Sequence, residues 1–384
     1  MTLSEKLPGN ICRQTLGLAC GVLLLGLSTG ACQKSPLGTD RPAETAMQQI
    51  LDHNLARGKF SGAAFCTERR GQLHCASSGN LDSGQPFFIA STTKLYTTAL
   101  ILQMRAEGRL DLDDPIGQYL EPSVTRGLHE YRGVSHGASI TIRQLLAHRS
   151  GLPDYFRDRD ANGESFEQRL LEQGDFAWTF EQAIERSKRL RPRFAPGTAG
   201  KAYYSDTNYQ LLGRILEVVG GQPYAQLLDQ RIFRPLGLEN SYLYTDPADR
   251  RPAAMQYRNQ RIRLPQAMAS FGPDGGIVST AGELATFGRA FFGGDLFPAS
   301  YLSELYDWAD IFSPLQSGTG IHRIKLPWYL AWLLKPPELY GHSGLSGTLL
   351  FWSPERDLIV AGTVNRIDQP DLSYRTLFAI LGSE

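Results

Sequence analysis

Residues 87–103 read FFIASTTKLYTTALILQ, and the fold turns on how Ser91 and Lys94 are read within that stretch. From Ser91 onward the pattern is helical to about Glu107, with Gly108 as the stop. Three positions along a helix bring two side chains onto one face, within reach of each other. A serine hydroxyl is a weak nucleophile until a neighbour takes its proton, and a lysine can do so only when uncharged. Phe87, Phe88 and Ile89 lead into the pair and Leu95, Leu100, Ile101 and Leu102 follow, so Lys94 is expected to be semi-buried. Burial penalises the ammonium and favours a general base. A serine at the helix N-terminus also has free backbone N–H groups beside it, able to stabilise an oxyanion. The competing reading is a serine N-cap with a lysine reaching out to water.

On the N-terminal side of this helix, AAFCTERRGQLHCASSG (residues 63–79) reads as a hairpin. If Arg70-Gly71 is its loop, Cys66 stands opposite Cys75 at a non-hydrogen-bonded pair, where Cα atoms approach to roughly 4.5 Å. A disulfide tolerates that spacing, and an oxidising compartment would allow it. A helix over Thr45 to Arg57 precedes the hairpin. On the C-terminal side, Thr141-Ile-Arg-Gln144 and Thr280-Ala-Gly-Glu283 are capping boxes that open helices. Asp206 or Thr207 caps the amphipathic TNYQLLGRILEVVGG, which stops at Gly220-Gly221. Strand character returns at Thr348–Trp352 and Leu358–Val364, joined by SPERD as an antiparallel pair, before a last helix over Leu372–Leu381. Strands thus lie at both ends with a mostly helical block between them. The expected architecture is α/β: one antiparallel sheet built from both chain ends, flanked by helices, with the helical region inserted.

The chain has 384 residues, enough for a large core, and its 39 basic and 39 acidic residues cancel. That balance argues against a nucleic-acid partner. Its one basic cluster, Lys188 to Arg193, reads as a solvated helix end or loop. At the N-terminus, Lys6 and Arg13 precede the apolar Leu16–Leu27 and the small residues Ser28 to Ala31. Residues 1–31 are therefore expected to be an export signal, too short in apolar length to span a bilayer, which takes about 20 residues. Residues 32–44 would be a tether and 45–384 the folded domain. Cys32 stands where a bacterial lipoprotein signal places its lipidated cysteine, although the usual leucine three places upstream is missing. Lipid attachment of Cys32 to a membrane and plain cleavage nearby both remain open. The expected location is the periplasm or cell envelope.

Two further motifs follow Ser91-Thr92-Thr93-Lys94 in the chain: Tyr204-Ser205-Asp206 and His342-Ser343-Gly344. In that order they resemble the three active-site signatures of the serine β-lactamase and penicillin-binding family, in the branch of class C β-lactamases and D-alanyl-D-alanine carboxypeptidases. The stretches AEGRLDLDDPIGQYL, TIRQLLAHRSGLPDY, IFRPLGLENS and GPDGGIVSTAGELATF are similar to family stretches as well, so the likeness runs from about Thr45 to the C-terminus. The resemblance implies an acyl-enzyme on Ser91, proton transfer by Lys94 or Tyr204, and an oxyanion held by the Ser91 and Leu345 amides. A phenol near an ammonium ionises more easily, which suits Tyr204 to that work.

Asp206 departs from the family's usual asparagine. A carboxylate only accepts hydrogen bonds, so Asp206 either contacts substrate differently, pairs with Lys94, or caps the next helix. His342 replaces the usual lysine; partly charged near neutral pH, it would attract a substrate carboxylate or relay a proton. Ser343 completes this substrate-binding signature, and Gly344 would let a ligand backbone lie close. No cofactor is implied, and the seven histidines show no metal-ligand spacing, so no zinc site is expected. The implied activity is a hydrolase of D-alanyl-D-alanine-type peptides or related amides and esters. A class C-type β-lactamase or carboxylesterase is the alternative, and a non-hydrolytic penicillin-binding sensor or scaffold is the alternative of another class.

Overall fold

The computed structural model describes residues 43–326 and 336–384. The expected signal segment and Cys32 lie outside the described residues. Helix α1 (Ala43–Ala56) starts two residues earlier than expected, inside the last positions assigned to the tether. It is followed by the hairpin of β1 (Gly62–Arg69) and β2 (Gln72–Gly79). Arg70 and Gly71 form the loop with φ of 51° and 83°, the left-handed pair that matches the twist of a tight hairpin.

The rest of the main sheet comes from the C-terminal quarter. Its strands are β3 (Ala309–Phe312), β4 (Leu315–Ser317), β5 (His322–Ile324), β6 (Tyr340–Ser343), β7 (Thr348–Ser353) and β8 (Leu358–Thr363). All pairings are antiparallel, in the order β3-β4-β5-β6-β7-β8-β1-β2. Both ends of the chain therefore build one eight-stranded sheet, as the distribution of strand character implies. Three short strands on its β3 edge had no clear alternation in the sequence and were not expected.

Alternation along the strands divides the core. On β1, Ala64 and Cys66 face the large core of the inserted region, while Ala63 and Phe65 face the terminal helices. On β8, Ile359 and Ala361 join the first group and Leu358 and Val360 the second. α1 and the last helix, α5 (Asp371–Ser383), cover one face. α4 (Ala281–Gly293) packs on the other, ending at Gly294 with φ of 87°. Its Thr280 cap accepts from the Glu283 N–H, but the Glu283 carboxylate turns instead to Asn240 and Ser241, so the box is only half formed.

The nucleophile helix α2 (Thr93–Ala106) and the helix after the tyrosine motif, α3 (Asp206–Gly220), run through the inserted core and pack on each other. Neither Asp206 nor Thr207 caps α3: the N-cap is Ser205, and the Thr207 hydroxyl donates to Pro153 O instead. Gly213 of α3 lies so close to Pro273 that a Cβ there would fall 2.3 Å from its ring, which fixes the Gly272–Asp274 turn against the helix.

Candidate active site

Ser91 lies in a single 3-10 turn, Ala90–Thr92, one step before α2, whose N-cap is Thr92. Ala90 has φ of 47°, a left-handed conformation costly for a residue with a Cβ, and it turns the half-buried Ser91 out of the chain path. The turn is pinned from the sheet side: the Ser346 and Thr348 hydroxyls both donate to Phe88 O, at 2.7 and 3.2 Å. Gly344 abuts the same turn. A Cβ at Gly344 would sit 2.4 Å from Ile89 O and 3.2 Å from the Ser91 nitrogen. The glycine thus makes room for the nucleophile's own backbone, where the sequence reading had a ligand. Among the described residues, neither the Ser91 nor the Leu345 N–H donates to a protein group, whereas the Gly344 N–H is committed to Thr348 O. Two unspent donors beside one hydroxyl are what an oxyanion needs.

Lys94 is fully buried and does not reach water. Its Nζ lies 2.7 Å from Asp206 Oδ1 and donates to Asp274 O at 2.6 Å. Burial alone would lower its pKa, but Asp206, Tyr204 and Asp274 outweigh that, and the lysine holds its proton more tightly than usual. The expectation of an uncharged amine is therefore corrected: counter-charges, absent from the local sequence, decide the state. Asp206 is the counter-ion of Lys94, one of the roles open in the sequence. Below it, the carboxyl groups of Asp154 and Asp274 are pushed upward, first by burial and then by the Asp206 charge.

Tyr204 brings the pieces together. Lys94 Nζ lies 5.2 Å from its ring centroid, and both Lys94 and Ser91 are close enough to act on its hydroxyl's ionisation. Burial raises its pKa above the ordinary phenol value; Lys94 and Ser91 pull it down, and Asp206 pushes it up. The ring stacks on His148 at 4.5 Å. His148 Nδ1 accepts from the Ser205 N–H, and His148 O accepts from the Tyr203 N–H, so the loop HRSG carries the tyrosine loop. In the sequence, His148 carries no signal of this role beyond its place in TIRQLLAHRSGLPDY.

His342 faces the site and is 1% exposed. Its Nδ1 lies 2.8 Å from Ser343 O, and its ring stacks on His322 at 4.0 Å. Burial, with His322 and Lys94 adding to it, lowers its pKa well below the usual histidine value, and His322 is pushed down to about 3 by burial and Lys94. The expected partial charge on His342 is thus corrected: the ring is neutral. Ser343, one residue on, points to the other face of the sheet, where its hydroxyl lies 2.5 Å from that of Tyr374 on α5. Its side chain does not serve the site. Away from the site, Cys66 and Cys75 face each other in the hairpin and are bonded, with Cα atoms 4.1 Å apart. Among the described residues no cluster of histidine, cysteine or acidic groups could hold a metal ion.

A profile of the Beta-lactamase family matches residues 47–381. The D-alanyl-D-alanine-carboxypeptidase/endopeptidase AmpH of Escherichia coli K12 is 28% identical over 55% of the chain and 50% of its own length. The chain therefore spans about half the length of this first curated relative. An N-acetylmuramyl-L-alanine amidase of Bacillus subtilis is 26% identical over 96% of the chain and 90% of its own. Among solved structures, a D-stereospecific amidohydrolase from a Streptomyces species superposes with a TM-score of 0.72 at 27% identity, covering 89% of this chain and 99% of that one. With its motifs gathered around one serine and its profile match over nearly the whole described chain, the protein belongs to the Beta-lactamase family of serine hydrolases.

Proposed function

We propose that the chain is an exported serine hydrolase that works through an acyl-enzyme on Ser91, acting on D-alanyl-D-alanine-type peptides or related amides and esters. The observation that carries this reading is the convergence of Ser91 and Tyr204 on the buried Lys94, whose Nζ lies 5.2 Å from the Tyr204 ring centroid and 2.7 Å from Asp206. Ser91 Oγ attacks the substrate carbonyl, and its proton passes to the Tyr204 oxygen. The Lys94 ammonium stabilises the phenolate that receives it. The Ser91 and Leu345 N–H groups hold the oxyanion. Tyr204 then gives its proton to the departing amine or alcohol, and water attacks the ester in a second passage through the same groups.

The His-x-Gly form of the third signature, His342-Ser343-Gly344, leans toward a peptide, amide or ester hydrolase over a fast β-lactamase; the neutral ring does not itself decide, since a D-alanyl-D-alanine peptide carries a carboxylate just as a lactam does. The names of AmpH and of the amidohydrolase support the same side. Export rests on the N-terminal segment, with Cys32 as the site of a lipid anchor, and the Cys66–Cys75 pair suits an oxidising compartment. The test is to incubate wild type and Ser91→Ala with penicillin, a D-alanyl-D-alanine peptide and a short p-nitrophenyl ester. Release of D-alanine or p-nitrophenol by wild type and not by the variant is expected. Equal turnover by both would remove Ser91 from the chemistry. Lipidation would show as globomycin-sensitive processing and membrane fractionation that Cys32→Ser abolishes.

A further inference from the structure

Among the described residues, two of the basic groups at the site are not free to meet a substrate anion. Lys94 is sealed from solvent and paired with Asp206, and His342 is neutral with Nδ1 turned to a carbonyl. The arginines near the tyrosine loop are occupied. Arg149 is held by Asp307 at 2.7 and 2.9 Å, Arg193 by Asp158 and the Tyr203 hydroxyl, and Arg186 by Asp160 and backbone carbonyls. Arg157 differs. Its guanidinium carbon lies 5.9 Å from the Tyr204 ring centroid, and its side chain is 40% exposed. Its one ion pair is a loose contact of 4.0 Å to Glu167, and among the described residues its guanidinium makes no hydrogen bond.

The base of this arginine is nonetheless fixed. Asp154 Oδ1 accepts from the Phe156 N–H at 2.9 Å, and the Asp154 N–H donates to Asp158 Oδ2 at 2.9 Å, so the loop that carries Arg157 is tied at both ends. Glu167, Asp154 and Asp206 favour its charge without hydrogen-bonding it, so the anchored loop presents a guanidinium whose N–H donors are free for bidentate recognition of a carboxylate. Phe312, an exposed ring 6.2 Å from that of Tyr204, adds an apolar surface beside it. We propose that Arg157, beside Tyr204, binds a carboxylate of the substrate. This rests on the Ser91 hydrolase reading for where the substrate lies. The carboxylate belongs either to the departing residue, as in a carboxypeptidase, or to the acyl portion.

Binding to Ser91→Ala, which does not turn substrate over, separates this proposal from the reaction. Calorimetry would compare acetyl-D-alanyl-D-alanine with its C-terminal amide for the departing side, and succinyl-D-alaninamide with acetyl-D-alaninamide for the acyl side. In one of the two pairs the carboxylate ligand should bind about ten- to a hundredfold more tightly, as expected for a hydrogen bond to a charged group. Adding Arg157→Gln should abolish that preference, and Arg157→Lys should restore part of it. Circular dichroism of each variant would establish that it is folded. Equal affinities within both pairs, a preference that survives Arg157→Gln, or no binding of any of these ligands would overturn the proposal. Failure of wild type to hydrolyse anything through Ser91 would instead overturn the hydrolase reading, and leaves the binding comparison intact as a measurement.

Discussion

At the scale of single residues, the site is an argument about where protons rest. Lys94 and Tyr204 both hold theirs above their ordinary values, and His342 and His322 have lost theirs well before neutrality. Since a deprotonated Tyr204 is what accepts the Ser91 proton, and its pKa is raised, kcat/KM should climb as pH rises through the range from 7 to 10. No histidine step should appear near pH 6 to 7. Asp206 raises the pKa of both groups, so Asp206→Asn should move the rising limb to lower pH; a pH–rate profile with an unmoved limb would contradict this. Ser91 and Lys94 were legible in the sequence because their spacing is local, and Tyr204 only through the order of the three family motifs. Their charge states were not, because the deciding partners, Asp206, Asp274 and His322, arrive from elsewhere in the chain. Arg157 left no pattern at all.

Among elements, the site is a meeting of one turn, one helix and one strand. Gly344 is the contact between them, and Gly344→Ala would drive β6 off the Ser91 turn. Overpacking of this kind costs about 1–3 kcal/mol of stability. Displacing the nucleophile should also lower kcat by roughly a hundredfold. A Gly344→Ala enzyme with wild-type kcat would show that the close approach is immaterial. In the hairpin, Cys75→Ser should lower stability by about 2–4 kcal/mol, read from denaturant midpoints without reductant. Equal midpoints would mean the two sulfurs are not joined. The hairpin register and the helix stops were readable because the signals there, Arg70-Gly71, Gly221 and Gly294, act on their own backbone. The edge strands β3 to β5 were not: each is only three or four residues long, too short for alternation to show.

For the molecule as a whole, the main consequence is that the first and last segments form one sheet and one core. Leu372, Leu377, Ile380 and Leu381 of α5 are buried against β7, β8 and α1. Each contributes about 1.5–3 kcal/mol, so their sum is comparable with the roughly 5–15 kcal/mol that holds a domain folded. A chain ended after Gln369 should fail to fold, with no cooperative thermal transition by circular dichroism; a normal transition would contradict the shared core. The two-ended sheet was visible in the sequence because apolar runs lie at both ends, but what each face packs against had to be seen. The central claim is that a phenol relays the proton of one serine. Intact-mass measurement of penicillin acylation tests it most directly. Wild type should gain one adduct, Ser91→Ala none, and Tyr204→Phe the same adduct at a rate lower by about 10²–10⁴. Acylation of Tyr204→Phe at the wild-type rate, or an adduct on Ser91→Ala, would contradict the account.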